Sequence, residues 1–198
     1  MQSALPSQSA LAHSAKSFEE SVPGKAVIVI AASLFVAACA HVSLPLPFTP
    51  VPITLQTFAV FIVGMLLGPT AGFAAMMAYL AEGAAGLPVF SPHGPGGFAQ
   101  LLGPTGGFLF SYPLAAAVAG WVVRGTRFVS SRFVLAVTAG VLASVVVFSL
   151  GAGWLVLYAH KSASLAWQLG VVPFLLGDTI KIMAGASIFS SLQRWARR

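Results

Sequence analysis

Acidic side chains are almost missing from this sequence: four Asp and Glu in 198 residues, against ten Lys and Arg. Soluble domains carry roughly a quarter charged residues. With 7% charged, 58% hydrophobic and a mean hydropathy of +0.91, a water-exposed globular domain is excluded. Cysteine is nearly absent too. Cys39 stands alone, which excludes an internal disulfide and a thiolate metal cluster, and it reads as a small apolar core residue. The strand-like alternation of a membrane barrel is lacking. Enzyme signatures are missing: there is no His-Glu-x-x-His, no Gly-x-Ser-x-Gly and no Gly-x-x-x-x-Gly-Lys-Ser/Thr. Catalysis and ATP hydrolysis by this chain are therefore not expected, and no cofactor or metal is implied. A net charge of +6 does not point to nucleic acid, because the basic residues sit in short connectors and at the C-terminus, where membrane orientation uses them.

What is present is a series of apolar runs, several close to or above the roughly 18–20 residues that span a bilayer as helix. The pattern predicts an all-α, polytopic membrane protein with six transmembrane helices, near 26–44, 53–67, 71–86, 108–123, 133–158 and 165–189. Pro173 marks a kink or a late start in the last. A polar leader (1–24) and a basic tail (193–198) flank the membrane domain (25–192). Six spans place Lys16, Lys25, Arg124, Arg127, Arg132, Arg194, Arg197 and Arg198 on one side, and only Lys161 on the other. By the positive-inside rule both termini are cytoplasmic. Between the first two helices, Pro45, Pro47, Pro50 and Pro52 forbid helix. That outer loop is a connector or a lid, and the Gly/Pro-rich stretch 87–107 resembles a packed loop more than a solvated linker.

Against this apolar ground the few polar groups stand out. Asp178 and Lys181 share one face of the last helix, and each is expensive in hydrocarbon. They either neutralise each other as a structural staple or present complementary charge to a ligand. Asp178 lies 16 residues before Arg194, roughly 24 Å above the inner surface. Glu82 lies 12 residues above Thr70, roughly 18 Å. Gln56, at the start of the second helix, and Tyr79 complete an outer-half cluster. Such an asymmetric distribution suits a pocket open to the outside rather than a continuous ion path. The bland reading of Glu82 is a protonated packing residue, and of Gln56 a helix-start stabiliser. Ser33, Ala37 and His41 recur every four residues on the first helix, a small-residue spacing that permits close helix approach.

Several stretches together resemble the BioY family, the biotin-specific S components of energy-coupling factor (ECF) transporters. They are Pro47-Phe48-Thr49-Pro50-Val51-Pro52-Ile53-Thr54-Leu55-Gln56-Thr57, Gly64 through Leu67-Gly68-Pro69, and Gly86-Leu87-Pro88-Val89-Phe90. Leu102-Gly103-Pro104-Thr105-Gly106-Gly107 and Gly177-Asp178-Thr179-Ile180-Lys181 follow in the same order. The likeness covers residues 26–190. It implies a membrane subunit that captures biotin from outside and delivers it inward with a transmembrane coupling subunit and a pair of ABC-type ATPases, in a bacterial inner membrane. It also implies substrate binding by Asp178 and Lys181 first, then Glu82, Tyr79 and Gln56, and docking of the coupling subunit on the first helix at Ser33 and Ala37, where the family's pattern is richer in alanine. The competing readings are a non-transporting membrane scaffold stapled by Asp178 and Lys181, an S component for another vitamin, and an intramembrane enzyme using Glu82 or a histidine.

Overall fold

The computed structural model describes residues 21–125, 131–160 and 162–196. Most of the expected leader, and the connector and tail arginines Arg127, Arg197 and Arg198, lie outside the described residues, as does Lys161. Helix α1 (Val22–His41) starts inside the stretch expected as leader, because Ser21 caps it by accepting from the Gly24 amide (3.2 Å) and Pro23 suits a first helical turn. It ends at His41, short of the expected 44. A two-residue antiparallel pairing then joins β1 (Ser43–Leu44) to β2 (Ile53–Thr54), so the proline-rich loop leaves and returns at one point.

Helix α2 (Gln56–Leu67) and helix α3 (Pro69–Ala84) meet at Gly68, whose φ of +83° favours glycine. After a loop carrying the short α4 (Gly97–Leu101) come α5 (Gly106–Gly125) and α6 (Arg132–Ala159). The expected last helix is broken. α7 (Ala163–Gly170) ends before a 3-10 turn at Val172–Phe174 that contains Pro173, and α8 (Leu175–Trp195) runs on past the expected end at 189 and into the expected tail. Among the described residues, four helical segments are long and apolar enough to cross a membrane: α1, α5, α6 and the α7–α8 unit. α2 and α3, at 12 and 16 residues, are shorter.

α5 is the most buried of the long helices and packs against α2, α3 and α6. Lipid tails give no hydrophobic drive for one helix to bind another, so fit of shape must supply the attraction. Small residues supply that fit. A Cβ added to Gly64 of α2 would lie 2.3 Å from the Ala116 carbonyl oxygen of α5, and one added to Gly120 of α5 would lie 2.4 Å from the Gly68 carbonyl carbon. At the opposite end, Gly107 meets Trp154 of α6, and the Trp154 indole donates to the Gly103 carbonyl (2.8 Å). The Gly103–Gly107 motif thus seats α5 against α6. Arg124, at the end of α5, donates to the Leu67 carbonyl at the end of α2 (2.7 Å), satisfying a helix terminus that α2 cannot satisfy itself. The outer surfaces of α1, α6 and α8 expose Ile30, Leu34, Val141, Val145, Ile180 and Ile188, as expected of faces toward lipid.

Candidate ligand-binding site

The two loops expected near one membrane face fold inward over the bundle at the end away from Arg124. In the proline-rich loop, Thr49 Oγ1 donates to the Leu169 carbonyl of α7 (2.7 Å) and accepts from the Val51 amide (3.3 Å). This turns Val51 and Pro52 toward a cavity between α2, α5, α6 and α8. The second loop adds Ser91 and Gln100. Gln100 is pinned by accepting from the Gly96 amide (3.2 Å) and donating to the Ser91 carbonyl (3.4 Å). The cavity and its open mouth together hold about 560 Å³ of space free of atoms. It is a narrow slot whose mouth is bordered by its loops.

Lys181 reaches this slot from α8 and donates to Thr57 Oγ1 of α2 (3.1 Å). Asp178, one turn earlier, is buried and turns elsewhere: Ser144 Oγ of α6 donates to its Oδ2. Among the described residues no ion pair joins Asp178 to Lys181. Each instead crosses to a different helix. Asp178 also lies in the first turn of α8, where the positive end of the helix dipole favours a carboxylate.

Gln56 lines the slot as well and is the hub of a buried network. Its Nε2 donates to Tyr79 Oη (2.5 Å), and Tyr79 in turn donates to the Val89 carbonyl (3.0 Å). Its Oε1 accepts from Thr54 Oγ1 (3.1 Å) and from Tyr112 Oη (3.4 Å). Both acceptor lone pairs of the amide are engaged, while one of its two N–H donors remains for the slot. Tyr79 is wholly buried behind Gln56 and does not line the slot; its ring packs edge-on against Phe90, centroids 5.3 Å apart.

Glu82 is not at the slot. It faces α1, where Ser33 Oγ donates to its Oε1 (2.8 Å), and its Oε2 is buried without a hydrogen-bond partner. Ser33 and Ala37, expected as an outward docking pair, are both buried, on the side of α1 that packs against α3 and α2. The expected cluster of five therefore divides three ways: Lys181 and Gln56 at the slot, Asp178 and Tyr79 behind it, and Glu82 on a separate helix contact. Thr57, Ser144 and Tyr112 carry polar roles that their own spacing did not single out. Phe108, Phe148 and Phe174 supply apolar wall. Among the described residues no group of three or more His, Cys, Asp and Glu is placed to hold a metal ion.

A slot with one amine, a buried amide network and aromatic walls suits a small ligand carrying both an anionic group and apolar surface. The family model described as the BioY family matches residues 12–198. The chain belongs to the BioY family. A BioY relative from Thermotoga maritima, named biotin transporter BioY, is 37% identical over 149 residues, 75% of this chain and 85% of the relative. One from Pyrococcus horikoshii, named probable biotin transporter BioY, is 36% identical over 144 residues, 73% of this chain and 82% of the relative. Among solved structures, the S-component for biotin from an ECF-type ABC transporter superposes with a TM-score of 0.77 at 26% identity, covering 86% of this chain and 90% of that one. BioY membership and these apolar helices make the chain a multi-pass membrane protein of a transporter family.

Proposed function

We propose that this chain is the biotin-binding membrane subunit of an ECF-type uptake system, taking biotin from the outside and delivering it inward. The observation that carries the reading is the Lys181 amine at a loop-bordered, aromatic-walled slot. It is supported by relatives named biotin transporters and by the likeness to a biotin S-component. The biotin carboxylate would pair with Lys181, displacing or sharing its bond to Thr57. The ureido group would meet the Gln56 amide and neighbouring polar groups, and the ring and chain would lie on Phe108, Phe148 and Phe174. Asp178 would act from behind, holding α8 to α6 so that Lys181 is aimed at the slot. Tyr79 would do the same for Gln56.

In this reading α2 and α3 complete a set of six spans with both termini in the cytoplasm of a bacterium, in its inner membrane. Arg124, Arg132 and Arg194 share one end of the bundle, in keeping with positive-inside orientation. The binding unit is the membrane domain expected at 25–192, with its first and last helices reaching a few residues into the leader and the tail. The chain performs no catalysis and no ATP hydrolysis and holds no cofactor. A transmembrane coupling subunit and ABC-type ATPases drive release. Ser33 and Ala37 reach such a partner only when α1 parts from α3, and the Ser33–Glu82 hydrogen bond resists that parting.

Ligand extracted from the protein purified without added vitamin tests the reading directly. Biotin should be recovered, and the emptied protein should rebind it in an equilibrium assay. Recovery of a different vitamin with no biotin rebinding would overturn the substrate while leaving the architecture intact.

A further inference from the structure

At the end of the bundle opposite the slot, the first turn of α6 and the last turns of α8 enclose a cleft of about 500 Å³. Arg132 and Arg194 line it together with Ser131, Ser187, Ser190 and Ser191. Two guanidinium groups lining one cleft favour an anion in the space between them. The only carboxylates among the described residues are Glu82 and Asp178, both deeper in the bundle and engaged with Ser33 and Ser144. The Arg132 guanidinium makes no hydrogen bond or ion pair with a described residue. Among the described residues Arg194 donates only to Ser191 Oγ (3.4 Å), which leaves most of its N–H groups and the Ser191 hydroxyl proton without a partner there.

The remaining lining narrows the chemistry. Ser187 donates to the Met183 carbonyl (2.8 Å) and Ser190 to the Ser187 carbonyl (3.1 Å), so these two form a floor rather than ligands. The positive end of the 28-residue α6 opens beside the arginines, with Ser131 capping it by accepting from the Val134 amide (3.4 Å). Two forked donors, a hydroxyl and a helix N-terminus form a donor set for a tetrahedral oxyanion, above all a phosphate. The surface next to the cleft indicates what bears that phosphate. Val134 of α6 and Ile188 and Leu192 of α8 are exposed on the adjoining apolar face, and Trp195 is exposed at its edge. Indole rings favour that position at a membrane–water boundary.

We propose that this cleft binds the phosphate of an anionic phospholipid, whose acyl chains lie along the exposed apolar face of α6 and α8. The site owes nothing to biotin: it sits at the other end of the bundle and shares no residue with the slot.

The test uses the full chain in neutral detergent. Native mass spectrometry after exposure to equal amounts of phosphatidylglycerol and phosphatidylcholine should show phosphatidylglycerol retained at least about fivefold over phosphatidylcholine, a preference of about 1 kcal/mol. Phosphatidylglycerol should also raise the apparent melting temperature by at least about 2 °C, and the Arg132→Gln/Arg194→Gln double variant should lose both effects. Equal retention of the two lipids in the unaltered protein overturns the proposal without recourse to any variant. So does a double variant that keeps the preference. Inorganic phosphate reproducing the whole thermal shift would assign the cleft to a free anion and sink the lipid.

Discussion

Lys181 on α8 donates to Thr57 on α2 at 3.1 Å, across the slot and away from Asp178 one turn earlier on its own helix. The amine therefore waits on a neutral hydroxyl rather than on a carboxylate. A neutral partner is given up to an incoming anion far more readily than an ionic one.

The first prediction concerns this amine. Lys181→Ala should weaken biotin binding by at least tenfold and up to about 150-fold, the loss of one charge-assisted contact worth about 1.5–3 kcal/mol. Lys181→Arg should recover part of the loss, and Thr57→Val should change affinity by less than Lys181→Ala does. Equilibrium binding of labelled biotin measures all three. An unchanged dissociation constant in Lys181→Ala would remove Lys181 from the site.

The second concerns the carboxylate behind it. Ser144 donates to Asp178 between α6 and α8, so Ser144→Ala leaves a buried acceptor short of a donor, at a cost of about 1–3 kcal/mol. Asp178→Ala and Ser144→Ala should each lower the apparent melting temperature. Together they should lower it by less than the sum, because both remove one interaction. Strictly additive effects would show that the hydroxyl and the carboxylate do not work as a pair.

How much of this was legible in the sequence follows from what kind of signal each residue carries. Asp178 and Lys181 stand out because charge in an apolar run is expensive whatever it touches. Ser144 and Thr57 do not stand out. A helical Ser or Thr ordinarily donates to its own backbone, as Thr179 does to the Leu175 carbonyl (2.8 Å), so a hydroxyl chosen for a neighbour looks like any other. Glu82 shows a second limit. Counting residues at the rise of a helix gave it a depth, but depth carries no azimuth, and packing turns Glu82 toward Ser33 on α1. Ser33 and Ala37 were legible as close-packing residues; which helix they pack against was not, since spacing of small residues names no partner. The broken last helix was foreshadowed by Pro173, and the inward fold of the proline loop needed Thr49 and Leu169, 120 residues apart, to be brought together.

The third prediction separates Glu82 from the slot. Glu82→Gln keeps an acceptor for Ser33 and should leave biotin affinity within about twofold, a change of about 0.4 kcal/mol. Ser33→Ala should leave affinity equally intact while lowering thermal stability, because it removes the remaining partner of a carboxylate whose other oxygen already has none. Tenfold weaker biotin binding by Glu82→Gln in a well-folded preparation would return Glu82 to the site.

The fourth addresses entry. The loops border the mouth of the slot, and the bond from Thr49 to the Leu169 carbonyl fastens one of them. Thr49→Val keeps the shape and removes the donor, so bound biotin should escape faster, by about 2–10-fold for a bond worth about 0.5–1.5 kcal/mol. A chase of labelled biotin with excess unlabelled vitamin reads the rate. An unchanged escape rate would mean that the proline loop does not limit release and that the segment carrying Ser91 and Gln100 does.

The last prediction sets two glycines against each other. Gly64 and Gly177 both lie inside helices, yet their surroundings differ completely. A Cβ on Gly64 would meet the Ala116 backbone at 2.3 Å, whereas one on Gly177 would meet nothing within 4 Å. Backbone cannot yield as a flexible side chain does, so Gly64→Ala must push α2 off α5 and lose the close packing that replaces a hydrophobic drive in lipid. Its expected effect is a fall in stability of about 1–3 kcal/mol, with biotin binding impaired as well, because Gln56 and Thr57 ride on α2. Gly177→Ala adds a better helix former in open space and should be neutral or stabilising by up to about 1 kcal/mol. Thermal denaturation of the two variants side by side measures the difference. If both fall equally, the loss is a general intolerance of α2 and α8 to alanine, and the close approach of Gly64 to Ala116 is not what holds these helices together.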